Sequence, residues 1–351
     1  MSKRAWIAVL VVIAVLAVLV TWSRTRGTPD LRNAARIEQL VAKESIAGRT
    51  VAAVRVESPS TTASLLYLRA KGIWRCREVP GSVADTALVE ALLASILDAR
   101  GVEMTRDPAR ATAYGLDDAH RIRVSLHGPK VLDIDGDGDM ILSFDIGTAF
   151  DDGARGRAFV RSKDGAAILE IDRNPRGLLE KPSAENLPPL LDTRLLAGST
   201  GAGFAGFKQF FFDGADGSSF ELVSDPPKKE GDVPEWFLAR DGKREPVLPW
   251  RVGGYESVWI RGHYDGLASP ARAKALGLDP PRMKITLVPS AGDPIEMLVG
   301  SVTPANLLHV WNKKTNAIYV LPGALAPLIA PELKMFVEKE GGNPWEAWLR
   351  R

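Results

Sequence analysis

Four histidines and a single cysteine are the whole stock of imidazole and thiol side chains in this 351-residue chain. The histidines are His120, His127, His263 and His309, and no two have the helical spacing of a metal pair. No HExxH and no nucleophile elbow occurs. His263-Tyr264-Asp265 has the composition of an acid–base set, but adjacent residues on a helix do not face one another. Surface or satisfied core histidines are the expectation. Cys76 stands between Arg75 and Arg77, whose charges would favour a thiolate. Nothing else nearby has a catalytic look, so a half-buried strand residue is the better reading. One cysteine forms no internal disulfide and builds no cysteine zinc site.

Two further stretches have ligand-binding spacing. Gly201, Gly203 and Gly206 satisfy GxGxxG, but a dinucleotide site needs that turn to follow a strand and open a helix. Here it opens into FKQFFFD, a strand pattern, so an inter-copy linker is the better reading. The run Asp133–Asp139, DIDGDGD, resembles the start of a calcium loop. Its twelfth position is Phe144 rather than Glu, and strand patterns flank it, so an acidic hairpin tip is favoured over calcium. No P-loop is present. The expectation is a non-enzyme with no catalytic, cofactor-binding or metal residues.

What positions these residues begins with a membrane. Ala5–Trp22 is an uncharged apolar run, bracketed by Lys3-Arg4 and by Arg24 and Arg26. As a helix it would reach roughly 27 Å, close to the ~30 Å bilayer core. Trp6 and Trp22 sit where interfacial aromatics belong. Its exit, TWSRTR, makes a poor cleavage site, so an uncleaved anchor is expected. Basic residues on both sides leave the direction open. The rest is nearly neutral, with 45 basic against 43 acidic residues in the whole chain, and no basic stripe invites nucleic acid.

The soluble part repeats itself. YGLDDAHRIRVSLHG from Tyr114 matches LGLDPPRMKITLVP from Leu276. In both, apolar residues alternate: Ile122, Val124 and Leu126 against Met283, Ile285 and Leu287. Each is followed by a strand ending in glycine, ILSFDIG to Gly147 and IEMLVG to Gly300. Then come RAFVRSK and AAILEID in the first copy, and LLHVWNKK and AIYVLP in the second. Leu-rich helical stretches follow, near Pro175–Lys181 and Gly323–Val337.

Upstream, three-strand meanders end on Trp74 and Trp236. A helix near Val83–Ala99 presents Leu88, Leu92 and Ile96 beside Val89, Leu93 and Leu97, a wide buried face. Ser82 or Asp85 suits its N-cap, and Gly101 follows its end. The counterpart near Tyr255–Leu267 carries Val258 and Trp259 with two glycines, and is weaker.

The expected fold is α+β: a transmembrane helix, then two tandem copies of a mostly antiparallel sheet with packing helices. The expected segments are an anchor at 1–29, a helical stalk at 30–49, a first repeat at 50–196 and a Gly-rich linker at 197–206. A second repeat at 207–340 and a Trp-containing tail at 341–351 complete them.

These residues carry a family resemblance. Trp74, Ala84-Asp85, Val89, Leu92-Leu93, Leu97, Ala99-Arg100, Tyr114-Gly115-Leu116-Asp117, Gly147 and Phe159-Val160 form its pattern. Trp236, Gly277-Leu278-Asp279-Pro280-Pro281 and Gly300 repeat it, with a departure in the second helix. The chain resembles, over roughly 50–340, the family called domain of unknown function 4340. The resemblance implies a bacterial inner-membrane protein facing the periplasm, beside an ABC permease and ATPase of the gliding-motility type. It implies no catalytic residues.

Two expectations for contact follow. In the tail, Asn343 and Pro344 suit a helix start that brings Trp345 and Trp348 to one face, to pack or to dock a partner. The first functional expectation is an auxiliary scaffold of the transport complex. Its rival is a solute- or glycan-binding receptor using the inter-repeat cleft, lined by Trp250, Tyr255 and Trp259.

Overall fold

The structure, a computed structural model, describes residues 37–40, 50–59, 65–70, 73–129, 139–151, 156–162, 165, 167–180, 187–200, 204–227, 229 and 234–337. The apolar run Ala5–Trp22, residues 133–138 of the acidic run, Gly201–Gly203 and the tail with Trp345 and Trp348 lie outside the described residues. Among those described, no helix is long and apolar enough to cross a membrane.

Strands dominate. In the first half they are β1 (Ile37–Gln39), β2 (Ala53–Glu57), β3 (Leu65–Ala70) and β4 (Ile73–Cys76). Helix α1 (Thr86–Leu97) and β5 (Arg100–Thr105) follow. Next are β6 (Ile122–His127), β7 (Met140–Asp151), β8 (Gly156–Ser162), β9 (Ile168–Ile171) and α2 (Pro175–Glu180). The second half opens with β10 (Phe207–Gly214), β11 (Ser219–Asp225), β12 (Glu235–Arg240) and β13 (Lys243–Val247). Helix α3 (Pro249–Arg261) and β14 (Gly266–Ala268) come next. β15 (Met283–Pro289), β16 (Ile295–Val299), β17 (Leu307–Asn312), β18 (Ala317–Pro322), α4 (Ala326–Ile329) and α5 (Lys334–Val337) complete it.

These strands form two nine-stranded antiparallel sheets, an α+β fold. The first runs β4-β3-β2-β6-β7-β8-β9-β5-β1, the second β13-β12-β11-β10-β15-β16-β17-β18-β14. With β1 and β13 set aside, eight strands stand in the same order in both. Alternation explains which face is core: Ile285 and Leu287 are fully buried, while Lys284 before them is exposed and Thr286 between them is half-buried. The helices lie against the inner faces, and one connected apolar core runs through both halves, from Trp74 and Leu92 to Trp259 and Ile285.

Several expectations need correction. Helix α1 is shorter than Val83–Ala99, and its buried face is narrow: Val89, Leu92 and Ile96 are fully buried while Leu88 is exposed. Asp85, not Ser82, is its cap, accepting from Ala87 N at 2.9 Å and Leu88 N at 3.2 Å. Gly101 does not cap it, because β5 begins one residue earlier. The second helix starts six residues before Tyr255, with Pro249 as its first residue, and stops before Gly262. The expected helical stalk contains β1, which pairs with the open edge of β5. The second Leu-rich stretch is divided into a 3-10 turn at Gly323–Leu325, α4, which carries Pro327 in its first turn, and α5, which Pro331 separates from α4.

Candidate functional site

Cys76 is buried on the edge strand β4, its Sγ 3.7 Å from Glu78 Oε2. Burial first, then the Glu78 charge, pushes the thiol up to about 12, away from a reactive thiolate. Alternation explains why the flanking arginines do not help: Arg75 is half-buried and Arg77 exposed while Cys76 is buried. The histidine set also disperses. His263 Nδ1 meets Thr193 Oγ1 at 2.7 Å, whereas Tyr264 is buried and donates to Asp192 O at 3.0 Å. Tyr264 stacks on Tyr319 with centroids 4.7 Å apart, and burial pushes its phenol pKa up. These residues follow α3 rather than belong to a helix. His120 Nδ1 stands 2.8 Å from Asp117 Oδ1. His309 is buried on β17, and burial with the Arg272 charge lowers its pKa, favouring the neutral ring. Among the described residues no three His, Cys, Asp or Glu side chains group as metal ligands. Phe204–Gly206 leads directly into strand β10, so the helix a dinucleotide would need is absent there.

The repeated Gly-Leu-Asp turns are clamps. Gly115 and Gly277 take the left-handed conformation, with φ of 65° and 69°. Leu116 and Leu278 are buried behind them. A Cβ on Gly147 would collide with the Tyr114 carbonyl oxygen, and one on Gly300 would stand 2.8 Å from Leu276 O. The repeat therefore records a shared packing contact, not a shared chemistry.

Between the halves there is no loose linker at residues 187–200. On one side Asp85 N donates to Leu190 O at 2.8 Å, Asp192 N to Val83 O at 2.9 Å, and the Tyr67 hydroxyl to Pro189 O. On the other, Leu195 N donates to Gly262 O and Tyr264 N to Thr193 O, both at 2.9 Å. Fully buried Asn312 donates to Ser199 Oγ at 2.7 Å. The hollow at this junction is small, about 180 Å³, and is bordered by the Asp192–Arg194 ion pair and Phe204. The expected aromatic lining is elsewhere. Tyr255 and Trp259 are fully buried in the second half's core, Tyr255 edge-on to Phe210 at 5.1 Å. Trp250 is exposed and stacks with the Arg251 guanidinium at 4.9 Å.

The larger opening lies on the outer face of the second sheet. This open groove of about 600 Å³ has Phe211 in its floor, 40% exposed. Glu221 and Thr286 flank Phe211 as cross-strand neighbours. Arg240, Lys243, Arg244 and Lys284 contribute to its walls. The wall is raised by the β12–β13 hairpin, whose turn residues Asp241 and Gly242 both have positive φ. β13 lies outside the strands expected from the sequence, although the Asp241-Gly242 pair is a hairpin signal. A second hollow of about 420 Å³ shares Ser219, Phe220 and Arg240 with the groove and extends it.

On the first sheet, the outer face gathers charge. Three guanidiniums converge on buried Asp145: Arg123 at 2.8 Å, Arg161 at 3.0 Å and Arg121 at 3.3 Å. Burial works to raise the Asp145 pKa, but hydrogen bonds from Arg123 and Arg161 and the Arg121 charge outweigh it, leaving the carboxyl below its ordinary range. This cluster joins three strands and has no local sequence signature. The fold and these sites define a strand-rich α+β protein of two antiparallel sheets that share an order of eight strands. Compared with protein-family models, curated proteins and solved structures, the chain matches none.

Proposed function

We propose that the chain is a non-catalytic, single-pass inner-membrane protein whose duplicated periplasmic ectodomain acts by protein contact. Its partners on this reading are the permease and ATPase of an ABC-type transport complex, in which it serves as an auxiliary scaffold. The observation that carries the reading is the junction: residues 187–200 are hydrogen-bonded to both halves, so two broad sheets are held as one unit. A fixed pair of faces suits a scaffold better than a receptor that must close on its ligand. Cys76, His263 and His309 are occupied by burial or structural contacts, which removes the strongest candidates for covalent or acid–base chemistry. The apolar run Ala5–Trp22 supplies the anchor. The family resemblance supplies the partners, an argument by analogy.

The rival receptor reading through the inter-repeat cleft loses its support, because Tyr255 and Trp259 are core residues. The test is to purify the full-length protein from its native host in mild detergent and identify what accompanies it. Enrichment of a permease and an ATPase over an unrelated anchored control is expected. No enrichment of either would overturn the scaffold reading.

A further inference from the structure

The groove on the outer face of the second sheet is independent of that scaffold reading. Its floor and walls are a poor anion site, since most of its cations are already neutralised. Arg244 pairs with Asp225 at 2.8 Å, Lys284 with Glu296 at 2.8 Å and Arg240 with Asp241 at 3.3 Å. Among the described residues only Lys243 of the four lacks an ion-pair partner, and Asp213 and Glu221 also line the groove. Such paired charges retain spare donors and acceptors side by side. A guanidinium has five N–H groups and a carboxylate about four lone-pair sites, so one contact each leaves most of them open. The group that satisfies adjacent donors and acceptors is one that both gives and takes a hydrogen bond, a hydroxyl.

The floor adds the complementary half. Phe211 presents an exposed apolar ring, ringed by Glu221, Thr286 and Ser219. An apolar patch edged by polar groups matches a pyranose, whose C–H face is apolar and whose hydroxyls project at its rim. The wall is built from paired strands rather than a loop, and its β13 has no counterpart in the first sheet's order. Continuation into the adjoining hollow gives room for a chain of rings rather than one.

We propose that this groove binds a neutral oligosaccharide, with a sugar ring stacked on Phe211 and its hydroxyls held by the surrounding ion-paired side chains. The test uses the full chain in a non-glycosidic detergent, titrated calorimetrically with maltohexaose, cellohexaose and chitohexaose, and with hexaglutamate as an acidic peptide. The expected result is saturable binding of at least one sugar, weakened at least tenfold by Phe211→Ala and unchanged by Trp250→Ala. Phe211 and Trp250 are both exposed, and an unaltered melting temperature would show that each variant is folded. Binding of none of the three sugars would overturn the proposal. So would sugar binding indifferent to Phe211→Ala, or hexaglutamate binding in place of the sugars.

Discussion

The two halves of this chain share an order of eight strands but differ on their outer faces. In the first sheet, Arg123, Asp145 and Arg161 stand side by side on β6, β7 and β8. The corresponding register of the second sheet holds Lys284, Leu298 and Trp311. One position is an ionic cluster; the other is a half-buried apolar contact, with Lys313 Nζ 3.5 Å from the Trp311 ring centroid. The inner faces show no such divergence: Val124, Phe144 and Val160 answer to Ile285, Met297 and Val310, all buried. Topology is held by the inner alternation and the glycine clamps, while the outer faces are free to take different chemistry.

The largest effect should come from the shared core. Leu92→Ala is expected to cost about 2–5 kcal/mol, and Trp259→Ala about 3–5 kcal/mol. Because the core is continuous and residues 187–200 bind both halves, either change should move a single common transition in calorimetry. Two separated transitions would break the picture of one unit and make the halves independent domains.

Next is the ionic cluster. Asp145→Leu leaves three guanidiniums around an apolar side chain and should cost about 3 kcal/mol, the scale of a buried pair losing one partner. Leu298 has no such role, so Leu298→Met should cost well under half as much, within the ~1.5 kcal/mol of a volume-conserving swap. The pH dependence has a definite sign. Asp145 has a folded pKa below its unfolded value of about 3.9, so its contribution is full above that pH. It is lost as pH falls through the folded value. Denaturant titrations should show Asp145→Asn with a shallower loss of stability below about pH 4 than the parent. Parallel acid profiles would remove the ionic contrast between the sheets.

The glycine clamps should differ in degree. Gly147→Ala drives a methyl into the Tyr114 carbonyl, whereas the equivalent contact at Gly300 is looser. We expect about 3 kcal/mol at Gly147 and about 1 kcal/mol at Gly300, within the usual range for overpacking. Chemical denaturation of the two variants measures both. A reversed order would mean that the second clamp is the more rigid.

Much of this was legible in the residues. Alternation placed β6, β15 and their neighbours, and the paired Gly-Leu-Asp turns revealed the repeat. β13 was hidden because Lys243–Glu245 are charged and exposed and Pro246 interrupts any apolar pattern, yet edge strands favour such residues. The Asp145 cluster was hidden for a different reason: Arg123, Asp145 and Arg161 become neighbours only once three strands are in register. Trp250, Tyr255 and Trp259 were misplaced because aromatic residues on one helix do not reveal which way that helix faces. The groove at Phe211 combines both difficulties, an unrecognised edge strand and a cross-strand floor.

The smallest effect concerns how the two packing helices begin. α1 is capped by Asp85, whose carboxylate accepts from Ala87 N and Leu88 N. The N-cap of α3 is Leu248, exposed, with extended backbone and no side-chain hydrogen bond to the first turn. Both N-cap residues already have the extended φ and ψ that a capping side chain requires. Asp85→Ala should therefore destabilise by about 1 kcal/mol, and Leu248→Asp should stabilise by a similar or smaller amount. The second change also places a negative charge at the positive end of the α3 dipole and beside Arg251 in its first turn. Thermal melts of the two variants and their double mutant give the comparison directly. The two sites share no contact, so the effects should add, and the double mutant should lie between the two single variants. A Leu248→Asp variant no more stable than the parent would show that apolar contacts of Leu248 already do the work of a cap.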